Sequence, residues 1–204
     1  MFFDFAKEET WLNEMARQGW QLTGVRVPAY HFRQAAAQDV QIRIDFRTFA
    51  SQAEFMNYKT LFEDSGWQHI AGSQRSGGQY FRCLAPDSTE DIFSDSRSRA
   101  ERYRRYAQMW LTLAVALILP LAVLLFNGAI DLRALIQPKR FYLTPGLWGL
   151  AGDVFWRAFW FETPFAIFRA LLVYALPVSL VLYLAFALQS ERLYRKERNE
   201  HGEA

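Results

Sequence analysis

The sequence predicts an α+β module followed by a two-helix transmembrane hairpin, and three observations carry that prediction. Residues 107–126, AQMWLTLAVALILPLAVLLF, contain no charged side chain, and at about 1.5 Å per residue such a helix crosses a hydrocarbon core of roughly 30 Å. The run VQIRIDF puts Val40, Ile42, Ile44 and Phe46 on one face and Gln41, Arg43 and Asp45 on the other, the pattern of a half-buried strand. Two helical patterns end alike, in Gly19-Trp20-Gln21 and in Gly66-Trp67-Gln68.

Composition divides the chain at the same place. It is 51% hydrophobic, with the apolar residues concentrated after Tyr106. Residues 1–95 hold nine Lys/Arg against thirteen Asp/Glu, and residues 96–204 hold fourteen against eight. The acidic first half is unsuited to direct nucleic-acid binding, which needs a basic face to neutralise phosphates. Cys83 is the only cysteine, which precludes an intramolecular disulfide and suits a reducing compartment. The start, MFFDFAKEETW, reaches its acids early and has no apolar core, so it is read as an interior module and not as a signal peptide.

Residues 1–95 are predicted to run strand, helix, strand, strand, twice over. Phe2–Phe5 is β-prone, Trp11, Leu12 and Met15 give residues 8–18 a helical stripe, and Gly19 stops it. Strands follow over Trp20–Val27 and, after a turn at Pro28, through Tyr30 and Phe32. The second copy opens with the Val40–Phe46 strand. Its helix starts at Ser51 with Glu54 completing a capping box, buries Phe55, Tyr58, Leu61 and Phe62, and ends at Gly66. Trp67–Ala71 and Gln79–Leu84 are then strands joined by the flexible loop GSQRSGG. Trp11 and Met15 align with Tyr58 and Phe62, and Phe3-Asp4-Phe5 answers Ile44-Asp45-Phe46, which together suggest an internal duplication. Each Trp covers the junction of its helix with the sheet. Two such units can join their half-sheets with both helices on one side.

This pattern resembles the GyrI-like effector-binding fold, in which paired units form a cleft for small molecules; a ferredoxin-like fold is the alternative. By its motifs TWLNEMARQGWQLTGV, IDFRTF, YKTLFEDSGWQHIAGS, QYFRCL and EDIFSDSRSRAERYRR, the segment from residue 2 to 105 resembles the uncharacterised bacterial family DUF2812. The resemblance implies a bacterial membrane protein, frequently encoded beside a PadR-like regulator. It supplies no catalytic residues.

No catalytic, cofactor-binding or metal-ligating set emerges from the residues themselves. His31, His69 and His201 stand at no metal-ligand spacing. Cys83 with His31 or His69 offers a nucleophile and base for a hydrolase, although a strand-borne cysteine is more often inert core. GSQRSGG lacks the lysine-serine ending and following helix of a phosphate loop. Asp4 and Asp45, at matching positions of the two copies, are either an acid pair or exposed strand residues. Arg43, Arg47, Arg33 and Arg82 with Tyr30 and Tyr80 form a candidate face for an anionic or aromatic ligand, or for a protein partner.

The membrane half comprises a basic connector (96–106), a first span (107–126), a loop (127–164), a second span (165–188) and a basic tail (189–204). Arg97, Arg99, Arg102, Arg104 and Arg105 precede the first span, and four Lys/Arg follow the second within ERLYRKER. The positive-inside rule then places both termini in the cytoplasm of a bacterial inner membrane. The same arginines can contact anionic lipid. In the loop, Thr144 and Pro145 can open an amphipathic helix through Ala158, with Trp148, Trp156 and Trp160 seeking the outer interface. Arg169 snorkels from the outer end of the second span. Pro120 and Pro177 can kink their helices. No charge lies mid-span, which argues against an ion pathway. The expected function is a non-enzymatic sensor or regulator; a scaffold subunit is the alternative.

Overall fold

The computed structural model describes residues 4–26, 28–83, 91–93, 96–128, 130 and 132–200. Leu84, His201 and the first three residues, on which some of the expectations fall, lie outside them. The chain forms two compact units, residues 1–108 with 186–204, and residues 109–185.

The first unit is α+β. Its elements are α1 (Phe5–Arg17), β1 (Trp20–Arg26), β2 (Ala29–Gln34), β3 (Ile42–Phe46), α2 (Gln52–Asp64), β4 (Trp67–Ala71) and β5 (Gly78–Cys83). Strands β1 and β2 form an antiparallel hairpin, and a second antiparallel sheet has the order β3-β5-β4. Both helices are thirteen residues long and both are capped. The Asp4 carboxylate accepts from the Ala6 N–H, and the Ser51 hydroxyl accepts from the Glu54 N–H. In return the Glu54 carboxylate accepts from the Ala50 N–H, so the box closes one residue before the cap. Gly19 (φ 87°) and Gly66 (φ 82°) end the helices in the left-handed region, which glycine enters without a Cβ penalty.

Asp4 and Ser51, Gly19 and Gly66, and Trp20 and Trp67 are each separated by the same 47 residues. That spacing holds for finer features. Trp11 and Tyr58, again 47 apart, pack edge-on against Phe32 at 5.6 Å and Phe81 at 5.7 Å, two rings 49 residues apart. A bulge interrupts β1 between Leu22 and Gly24, and another interrupts β4 between His69 and Ala71.

Three expectations are corrected. Phe5 opens α1 and Asp4 caps it, so the described part of Phe2–Phe5 is a helix start and not a strand. Asp4 therefore corresponds to Ser51 and not to Asp45. Strand β3 is buried on both faces, Asp45 included, because α1 and α2 occupy opposite faces of its sheet. The neighbours Tyr80 and Phe81 on β5 show this: Tyr80 reaches Glu8 of α1, and Phe81 packs on Tyr58 of α2. On the α2 side, Phe49, Phe55, Tyr58, Trp67, Phe81 and Cys83 make one continuous core.

Two long helices complete the described elements, α3 (Ser96–Phe126) and α4 (Gly152–Glu200). Both are long and apolar enough to cross a membrane, and only 6% of the apolar window of each is buried. An apolar surface this uncovered belongs in lipid and not in a protein core, which makes the chain membrane-associated. Pro120, Pro164 and Pro177 are accommodated without ending either helix.

In the second unit the chain between the helices folds as short 3-10 turns at residues 132–135, 138–141 and 147–149. The expected helix from Pro145 to Ala158 does not form as a separate element. The backbone is extended at Leu150, and the aromatic run carrying Trp156 and Trp160 is the first part of α4. Thr144 donates to Glu162 (2.5 Å) instead of capping a helix. Arg169 does not simply snorkel: it bonds Glu162 (2.7 Å) and the Phe141 carbonyl (2.6 Å), tying the turns to α4.

Candidate functional site

Strand β3 is the outer strand of its sheet, and an unpaired outer edge presents N–H and C=O groups that invite another chain. Here that edge is sealed by side chains. The Ile42 N–H donates to Asn13 (2.8 Å), the Ile44 N–H to Glu9 (2.9 Å) and the Phe46 N–H to Asp45 (2.7 Å). The Ile42 carbonyl accepts from Arg43 (3.3 Å), the Ile44 carbonyl from Arg102 (2.8 Å) and the Phe46 carbonyl from Arg105 (2.5 Å). Two of these donors sit on α3.

Arg99, Arg102 and Arg105 recur every third residue and so share one face of α3. Each meets a carboxylate of the module. Arg99 pairs with Asp91, Arg102 with Glu9 (2.5 Å) and Arg105 with Asp45 (2.5 Å). Arg102 is the buried rung, at 1% exposure, with the rings of Phe5, Phe93 and Tyr103 each within 5.3 Å of its guanidinium. Burial opposes the charge of Arg102, but the Glu9 carboxylate, joined by Tyr103 and Glu197, more than offsets it and the guanidinium stays protonated. Burial pushes Glu9 above the ordinary carboxylate range, and Arg102 offsets part of that shift. A desolvated pair of this kind holds firmly only while both members are present.

A second buried carboxylate joins α1 to both sheets. One oxygen of Glu8 accepts from the Tyr30 hydroxyl (2.9 Å) on β2 and from the Tyr80 hydroxyl (2.7 Å) on β5. Burial pushes Glu8 upward against the pull of these two donors, and Glu9 adds to the rise. The phenols of Tyr30 and Tyr80 are raised in turn by burial and by the adjacent Glu8, so both remain donors. Asp45 also accepts from Tyr58 (2.8 Å), and Asp4 accepts from Tyr103 (3.0 Å). The two aspartates thus serve different partners, and Asp45 is buried where an exposed strand residue was one of the expectations.

The six residues expected to form one ligand face are dispersed. Arg43 pairs with Asp91 (3.2 Å), and Arg47 lies over the rings of Phe49 and Tyr58. Arg82 donates to Gln68 (2.5 Å), and Arg33 is exposed on the β1–β2 hairpin. Arg82 faces Ile42 in register while Arg43 faces Phe81, which puts these two arginines on opposite sides of the sheet. Tyr30 and Tyr80 do meet, on Glu8. Of the arginines assigned to the membrane surface, Arg97 and Arg104 are exposed.

Cys83 lies in the aromatic core. His69 Nε2 is 3.0 Å from Gln79 Oε1, and the Gln79 amide donates to the Arg47 and Ser73 carbonyls. The proton of His69 therefore sits on Nε2. Burial lowers the pKa of this ring. Among the described residues no cluster of three His, Cys, Asp or Glu is placed to hold a metal.

Glu8, Glu9 and Asp91 carry this site and were not singled out as partners in the sequence. A signal was present for two of them: Phe5, Glu8, Glu9, Leu12 and Ala16 fall on one helical stripe and are all buried. Acids inside an apolar stripe require cations, and the sequence offered the surplus arginines of residues 97–105.

A model of the family described as "Protein of unknown function (DUF2812)" matches residues 4–115. The chain belongs to this family. The matched DUF2812 segment takes in both sheets, all three rungs of the arginine ladder and the first part of the apolar run of α3. No curated protein and no solved structure matches the chain.

Proposed function

We propose that this DUF2812 protein is a non-enzymatic inner-membrane sensor or regulator, whose cytosolic module binds a ligand or protein and passes its state to the membrane helices. The supporting observation is the ladder. Arg99, Arg102 and Arg105 bind the module through Asp91, Glu9 and Asp45, and they stand on the same helix that continues into the apolar run. A change in the module that moves Glu9 or Asp45 must act on α3, because a buried charge cannot lose its partner cheaply. The arginine excess flanking the two spans supports cytoplasmic termini. The regulator neighbourhood implied by the family resemblance supports a role in gene control, envelope stress being one setting.

The module is read further as a duplicated unit of GyrI-like type, with a ferredoxin-like arrangement as the alternative. The constant spacing of caps, glycines, tryptophans and bulges supports duplication.

Replacing Arg102 and Arg105 together by Met tests the coupling. Wild type and variant are produced at equal membrane levels, and the transcript profile and co-purifying proteins of the cells are compared. A regulatory protein predicts an altered profile in the variant. Identical profiles with an unchanged membrane partner would instead favour an accessory or scaffold subunit.

A further inference from the structure

Strands β1 and β4 belong to different sheets, and among the described residues no backbone hydrogen bond joins them. A groove of about 470 Å³ opens there, lined by Thr23, Gly24, Val25 and Arg26 of β1, His31 of β2, Ile70 and Ala71 of β4, and Gly72. That volume is within the range of small-molecule sites, roughly 300–1,000 Å³. Both bulges of the module fall on it, since Gly24 and Ala71 are the residues that follow the two breaks in register. A bulge locally disrupts pairing and bends its strand, which is how a sheet edge is re-aimed toward a site.

The chemistry of the lining is one-sided. Among the described residues its ionisable groups are Arg26 and His31, and none of its lining residues is a carboxylate. Both are exposed, and among the described residues neither side chain makes an ion pair or a hydrogen bond. The Thr23 hydroxyl is already donated to the His31 carbonyl (3.1 Å). Val25, Ile70 and Ala71 supply the apolar part of the wall. Every other arginine of the sheets except exposed Arg33 has a partner: Arg43 pairs with Asp91, Arg82 bonds Gln68, and Arg47 lies over two rings.

We infer that this groove binds a small organic anion, a carboxylate or phosphate on a compact apolar body, with the anion on Arg26 and His31 and the body against Val25, Ile70 and Ala71. A guanidinium with free N–H donors is the group best shaped for a carboxylate or phosphate. The inference deepens the proposal of a ligand-binding module and names its ligand class. It does not depend on the arginine ladder, so the two can fail separately.

The structure also provides a clean way to close the groove. A Cβ added at Gly24 would meet no atom within 4 Å, and Gly24 is not in the left-handed region. Gly24 lines the groove, so Gly24→Leu puts a side chain on its wall with no clash at Cβ. The test is titration calorimetry of the full-length protein in phosphatidylcholine nanodiscs with benzoate, phenyl phosphate and neutral benzamide, against empty nanodiscs. The expected result is saturable binding of one of the two anions, one per chain, with no binding of benzamide. Arg26→Ala and Gly24→Leu should each weaken it by roughly tenfold or more at an unchanged thermal midpoint. Benzoate and phenyl phosphate separate a carboxylate ligand from a phosphate one. Absence of saturable anion binding, equal binding of benzamide, or undiminished binding by the Arg26→Ala protein overturns the inference. Should Gly24→Leu misfold, Arg26→Ala decides alone. Anion binding that persists while the Arg102/Arg105 variant leaves transcripts unchanged would keep the site and remove the coupling.

Discussion

Trp20 and Trp67 occupy the same place in two matching segments, directly after a glycine with positive φ that ends a thirteen-residue helix, yet Trp20 is 40% exposed and Trp67 only 1%. The helices differ in the complementary way. Glu8 and Glu9 of α1 are buried, whereas the residues at the matching positions of α2 are buried Phe55 and half-exposed Met56. Helix α2 lays an aromatic stripe on its own sheet. Helix α1 must instead meet the polar edge of β3, the tyrosines of two sheets and an arginine of α3, so two of its buried positions are acids. Matching sequence thus goes with matching backbone, while burial is decided by what each segment is packed against.

The largest test of this contrast lies in Glu9, an acid at the position where α2 carries Met56. Glu9→Leu or Arg102→Met alone should destabilise the module by about 3–5 kcal/mol, because each leaves a buried charge unpaired. The double change Glu9→Leu with Arg102→Met should recover most of that loss, since a well-packed apolar pair can replace a buried ion pair. Denaturant unfolding of the four proteins in detergent reads the coupling directly. Additive losses would mean that the two groups are not a pair.

The tryptophans themselves come next. Trp67→Ala removes a fully buried indole beside Phe81 and Cys83 and should cost about 3–5 kcal/mol. Trp20→Ala, at the matching but open position, should cost about 1 kcal/mol or less. Equal losses in thermal unfolding would show that Trp20 is covered in the working protein, and would point to a partner on that face.

Local signals in this chain were legible and tertiary ones were not. Ser51 with Glu54, the glycines, the strand Trp67–Ala71 and the uncharged run of α3 all act within a few residues, and each stands where the sequence puts it. The alternation of β3 holds over Ile42–Phe46, without Val40 and Gln41, but it implied a solvated face that α2 in fact covers. The residues of the candidate ligand face disperse for a related reason: arginines placed on neighbouring strands carry no register, and register puts Arg43 and Arg82 on opposite sides. The arginines before the span have a topological explanation that uses none of their geometry. Only their three-residue spacing, taken with the acids in the stripe of α1, shows that they also dock. The groove beside Gly24 and Ala71 depends on two bulges that no residue pattern announces.

A smaller effect separates the two helix starts. Ser51→Ala should cost about 1 kcal/mol for the lost cap. Asp4→Ala should cost more, because Asp4 also accepts from the Tyr103 hydroxyl. Equal losses would mean that the Tyr103 bond contributes nothing measurable.

The subtlest consequence of placing acids where α2 has an aromatic is a dependence on pH. Burial raises the pKa of Glu8 in the folded chain above its ordinary value of 4.5. The folded state therefore holds this proton where the unfolded state has released it, and stability contributed by protonated Glu8 is complete below about pH 4.5. It is lost as pH rises from there through the raised value. Glu8→Gln keeps a carbonyl that can accept from both Tyr30 and Tyr80, which share a single Glu8 oxygen, but it cannot ionise. The difference in unfolding free energy between wild type and Glu8→Gln should consequently drift against wild type as pH rises through that window, and flatten above it. Glu9 and the other acids titrate in both proteins and largely cancel in the difference. Parallel curves would place Glu8 at its ordinary value. A drift in favour of wild type would mean that the two tyrosine hydroxyls stabilise its carboxylate by more than burial disfavours it.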